Sequence, residues 1–108
     1  KAVPSGSAGS SQEESNPKFQ RQQAAQKRRE LAEQTRPWRK ELSLIEEQLS
    51  RQSHERDDLL ALAERPQDIQ DMADWGRRCK SLTESIDRLE ERWLTLSELI
   101  QIADSQAS

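Results

Sequence analysis

From Met72 onward the chain repeats its apolar residues every seven positions. Met72, Cys79, Ile86, Trp93 and Ile100 form one row, and Trp75, Leu82, Leu89, Leu96 and Ala103 form a second, offset by three. A repeat averaging 3.5 residues keeps one stripe of a helix facing a partner and defines the seam of a left-handed coiled coil. A matching string lies upstream, with Leu31, Trp38, Ile45 and Leu59 in one row and Leu42, Leu49 and Ala63 in the other. Pro66 separates the two strings. Glu64-Arg65-Pro66 has room only for a tight reversal, so the expected fold is all-α: an antiparallel two-helix coiled-coil hairpin. Its helices should run over about 37–63 and 67–102.

Two seam registers satisfy the pattern. One pairs Trp38 with Trp93 and Ile45 with Ile86. The other slides by a heptad and pairs Ile45 with Trp93 and Leu49 with Leu89. Gln52 and Arg56 fall on core rows in the middle of the first string, where a polar residue can specify register at some cost in stability. Arg56 can also carry its charge out of the seam along its aliphatic stem.

Ahead of the hairpin, residues 18–36 are rich in good helix formers but offer only Phe19, Ala24, Ala25, Leu31 and Ala32 for packing. They predict a short basic helix, about 18–35, docked on the hairpin's open end. Pro37 fits the first turn of the next helix, where its missing N–H costs nothing. It could instead sit inside one continuous helix, since Leu31, Trp38 and Ile45 stay in step across it; a break is the preferred expectation. Residues 1–17, with five serines, two glycines, Pro4 and Pro17, read as a disordered linker, leaving 18–105 as the folded unit.

Composition adds limits. Charged residues make up 34% of 108 and apolar ones 31%, enough for a narrow seam but not for a broad core. A single cysteine, Cys79, forms no internal disulfide, and its heptad position makes it a small seam residue. That usage suits a reducing, cytoplasmic setting. No apolar run approaches the ~20 residues of a membrane span. His54 near Glu55, Asp57 and Asp58 resembles a solvated charged face more than a metal site. No phosphate-cradling loop or nucleophile motif occurs, so neither an enzyme nor a cofactor is expected in this stretch. The start at Lys1 suggests a piece of a longer protein.

Charge is distributed unevenly. Residues 18–40 carry Lys18, Arg21, Lys27, Arg28, Arg29, Arg36, Arg39 and Lys40 against Glu30 and Glu33, while from residue 41 onward sixteen acids face eight bases. Clustered cations bind phosphates by releasing counterions. The candidate nucleic-acid contacts are therefore Lys27, Arg28, Arg29, Arg36, Arg39 and Lys40, with Trp38 beside them. The same pattern suits a solvated helical face whose cations pair with the acidic stalk, and the residues alone leave both readings open. Any binding would be non-specific in sequence, because no groove-reading motif is present.

The Gln-Lys-Arg-Arg segment, the Leu-x-x-Ile-Glu after Pro37 and the ending Leu-Glu-Glu-Arg-Trp-Leu-x-Leu-x-Glu-Leu resemble the C-terminal domain of ABC-F ATPases of the Uup and YheS type. The likeness lies mainly in Gln26–Glu47 and Ser85–Ile100. It implies a parent protein with two ATP-binding cassettes, using ATP and magnesium upstream of Lys1, that acts on ribosomes or translation. It also implies a C-terminal coiled coil that binds nucleic acid, DNA in the Uup case and ribosomal RNA as the other candidate target. The expected product is a monomeric, non-catalytic binding module without membrane contact. The rival is a protein–protein docking stalk or oligomerisation coiled coil. Gly76 and the polar seam residues depart from the family pattern.

Overall fold

The computed structural model describes residues 16–107, and residues 1–15 of the linker expected over 1–17 lie outside them. Two long helices, α1 (Pro17–Ala61) and α2 (Met72–Ala107), pack against each other as a hairpin. The all-α expectation is met. Helix α1 starts as local chemistry dictates: the side chain of Asn16 accepts the Lys18 N–H at 2.9 Å, and Pro17 takes the first helical position. An asparagine cap there satisfies a donor that the helix itself leaves open. Helix α1 therefore begins at Pro17, one residue earlier than expected.

The expected break at Pro37 does not occur, and the short basic helix is the first part of α1. An internal proline removes one backbone hydrogen bond and crowds the carbonyl four residues back, at roughly 3 kcal/mol. The opposing gain is the seam, which continues across Pro37. Leu31 and Trp38 are half-buried and Thr35 is 1% exposed, facing a stretch of α2 in which Leu96, Ile100 and Ala103 are buried. A break would forfeit that packing. Thr35 remains satisfied while buried, donating its hydroxyl to the Ala32 carbonyl at 3.3 Å.

The reversal is wider than a tight turn. It contains two single 3₁₀ turns, Leu62–Glu64 and Pro66–Asp68, followed by an extended Ile69. Helix α2 then begins five residues later than predicted, because Asp71 caps it: its carboxylate accepts the Asp74 N–H at 3.1 Å. Ala63 and Met72, expected in the seam, are consequently exposed, while Leu62 and Ile69 are half-buried at the tip. Gly76 lies within regular helix.

Hydrogen bonds between four residue pairs cross between the helices and settle the register. Trp75 reaches Leu59 at the tip, Trp93 reaches Glu46, Arg92 reaches Glu41, and Arg39 reaches Asp104 near the open end. Trp93 thus lies against the Ile45–Glu46 turn rather than against Trp38, which is the heptad-slid alternative. Ile45, Ile86, Leu96, Ile100 and Ala103 form the buried core. Gln52 and Arg56 are half-buried on the seam rows, and the Gln52 side-chain oxygen is buried without a hydrogen-bond partner.

In this register the last turns of α2 lie against residues 31–39 of α1, and the N-terminal stretch of α1 projects beyond them. From Pro17 to Glu30 every residue except Ala25 is exposed. The reason is legible in the rows. Tracing the Thr35–Leu42–Leu49 row backward gives Arg28 and Arg21, and tracing the Leu31–Trp38–Ile45 row backward gives Ala24 and Pro17. Cations and small residues offer a second helix nothing to bury. The basic segment is therefore a collinear overhang and does not dock across the open end as expected.

Candidate nucleic-acid interface

A straight helix of 3.6 residues per turn determines which cations share a side. Lys18, Arg21, Arg28, Arg29, Arg36, Arg39 and Lys40 fall within an arc of about 120°. All seven are exposed. They group as Lys18/Arg21, Arg28/Arg29 and Arg36/Arg39/Lys40, with steps of about 14 Å at 1.5 Å per residue. The row's centre lies roughly a third of a turn from the seam, with Arg21, Arg28 and Arg39 on its seam-side edge. Continuity through Pro37 aligns the third group with the first two.

Of the candidates drawn from sequence, Arg28, Arg29, Arg36, Arg39 and Lys40 belong to this row. Lys27 does not: it is exposed on the opposite side of α1, in line with the prolonged seam. Trp38 is half-buried on the seam side and lies outside the row. Lys18 and Arg21 belong to it although they were not among those candidates. Their signal was spacing, since Lys18, Arg29 and Lys40 stand eleven residues apart and Arg21 precedes Arg28 by seven. Eleven and seven residues are close to whole numbers of helical turns.

The groups differ in electrostatic state. Arg36 pairs with Glu33 at 2.6 Å. Arg39 pairs with Asp104 at 2.6 Å and also donates to the Thr35 hydroxyl at 3.3 Å. Both pairs are largely solvent-exposed, and such pairs are worth only about 0–1 kcal/mol. A phosphate can therefore compete for either arginine. Lys18, Arg21, Arg28, Arg29 and Lys40 make no ion pair with another described residue. On the overhang, Glu30 points away from the row's centre by helical geometry and accepts from Gln26 at 3.3 Å.

Elsewhere the chemistry is sparse. Among the described residues, no group of three or more His, Cys, Asp or Glu side chains is arranged to hold a metal ion, and His54 stands exposed 3.9 Å from Asp58. Cys79 is half-buried in the seam, as its spacing predicts. Among the described residues no helix is long and apolar enough to cross a membrane. No protein-family model matches the chain, and neither curated proteins nor solved structures give a match.

Proposed function

We propose that this chain is a nucleic-acid-binding helical hairpin, with the basic face of α1 contacting phosphates and the remainder of the hairpin acting as its support. The overhang carries the reading: Lys18, Arg21, Arg28 and Arg29 project past the seam, exposed and without ion pairs to other described residues. A helix end that kept its cations only for solubility would need no alignment of them with Arg36, Arg39 and Lys40 along one side. The resemblance to ABC-F C-terminal domains agrees with this role and makes the chain a non-catalytic module of such an ATPase, working in the cytoplasm on DNA or ribosomal RNA.

The test is a salt titration of binding to duplex DNA and to RNA. The logarithm of affinity should fall steeply with the logarithm of salt, by about 0.9 per phosphate contact on B-form DNA. Replacing Lys27, Arg28 and Arg29 together by Ala should flatten that slope and weaken binding equally for all sequences. Unchanged binding by this variant at low salt would sink the reading.

A second reading has its own support. The outer side of α2 sets exposed Leu94 (54%) and Ile102 (58%) among the exposed acids Asp87, Glu91 and Glu98. That side suits a protein partner, and a docking stalk would show little salt dependence toward nucleic acid.

A further inference from the structure

The basic face has a length and a chemistry that together select one form of nucleic acid. Lys18 and Lys40 are 22 positions apart on one unbroken helix, a span of about 33 Å. One turn of B-form duplex is about 34 Å long. A straight rod of that length laid along a duplex crosses both sugar-phosphate strands, and three cation groups spaced about 14 Å apart meet phosphates at more than one crossing. Because α1 does not break at Pro37, the three groups share one continuous helix before any ligand arrives.

The same face lacks what a single strand requires. Proteins that hold single strands add aromatic platforms for the unstacked bases, worth about 1–3 kcal/mol per base. All four aromatic side chains of the chain lie off the row. Trp38 is half-buried on the seam side of α1. Phe19, 46% exposed, sits about a third of a turn from the row's centre. Trp75 and Trp93 are on α2, with their indole N–H groups donating to the Leu59 carbonyl and the Glu46 carboxylate. A phosphate-only face gains nothing from exposed bases and loses nothing when they are stacked inside a duplex.

We propose that the basic face of α1 takes double-stranded nucleic acid, along about one turn of duplex, in preference to single strands. This rests on the nucleic-acid reading above and specifies its ligand. The chemistry is shared by B-form DNA and A-form RNA, which display their phosphates outward in both cases.

The experiment compares the full chain on four probes at equal salt: a 16-base-pair DNA duplex, a 16-base-pair RNA duplex and the single strand of each. At least one duplex should bind about tenfold more tightly than its single strand, in keeping with the higher phosphate density of a duplex. Which duplex binds identifies DNA or RNA as the source. Two insertions made between Glu30 and Leu31 then test alignment without altering charge. Two alanines rotate the outer four cations by about 200° relative to Arg36, Arg39 and Lys40, whereas four alanines restore them to within about 40°. The two-alanine variant should lose about tenfold in duplex affinity, and the four-alanine variant should stay within about twofold of the parent. Single strands binding as tightly as duplexes, or a two-alanine variant that equals the parent, overturns the proposal while leaving phosphate binding in place. Absence of binding to all four probes at low salt removes the nucleic-acid reading itself, and this proposal with it.

Discussion

The indole N–H of Trp75 donates to the main-chain carbonyl of Leu59 at 2.7 Å, joining the first turns of α2 to the last turn of α1. That carbonyl belongs to the group a helix leaves open at its C-terminus, and it also receives the Leu62 N–H at the cap. The bond ties the two sides of a ten-residue reversal that otherwise buries little. Trp75→Phe keeps most of the ring but removes the donor. Since Leu62 still partners the carbonyl, the variant should lose about 1 kcal/mol, read as a lower urea midpoint with an unchanged slope.

Pro37 is retained against helix propensity by the packing around it. Pro37→Ala restores an N–H and relieves the crowding at the Glu33 carbonyl. Pro37 is exposed, so nothing in the seam is disturbed. Stability should rise by about 1–3 kcal/mol, measured by chemical denaturation; a fall would show that the seam across residues 31–38 depends on proline geometry.

Gly76 lies within α2, and a methyl group built there meets nothing within 4 Å. Gly76→Ala should therefore stabilise the hairpin by about 1 kcal/mol through reduced freedom of the unfolded chain. Its thermal midpoint should rise without change in oligomeric state.

The unpartnered Gln52 oxygen marks the weakest point of the seam. Gln52→Leu removes that desolvated acceptor and adds apolar surface, which should raise stability by about 1–3 kcal/mol. Sedimentation of the variant tests whether Gln52 also guards against other pairings, as polar seam residues do in coiled coils.

Arg92 makes two hydrogen bonds to the Glu41 carboxylate, at 2.7 and 2.9 Å. Those bonds, with the guanidinium charge, hold the Glu41 carboxyl below its ordinary range. A carboxyl depressed on folding stabilises the fold above its unfolded pKa and loses that contribution as pH falls through the folded value. The parent should therefore weaken on acidification below the usual carboxylate range, and Glu41→Gln should remove part of that acid sensitivity. Thermal melts of the two proteins between neutral and acidic pH provide the measurement.

The heptads made the hairpin readable because burial of two apolar rows contributes most of the stability of so thin a fold. Register was not readable: both pairings matched apolar rows, and the choice shows only in polar cross-helix bonds such as Trp93–Glu46 and Arg92–Glu41. Pro37 misled because its local cost is apparent in the sequence, whereas the compensating burial of Thr35 depends on where α2 ends. The same holds at the tip, where Asp71 outcompeted an earlier helix start by supplying a cap. The basic site was legible as a cluster. Its shape was not, because excluding Lys27 and including Lys18 and Arg21 required knowing that one helix runs through the whole segment.

The overhang gives the molecule a long electrical axis. Residues 18–40 hold eight cations and two acids at one end, and sixteen acids with eight cations follow from residue 41 onward. A rod with that division is a strong dipole, and the field of any polyanion exerts a torque that swings the cationic end forward and the tip of the hairpin away. In salt like that of a cell the field fades within about 8 Å, so the turn is completed only during the last stage of approach. The acidic part of the rod then acts as a rudder: it discourages encounters led by the hairpin tip and brings the cationic stretch of α1 in first.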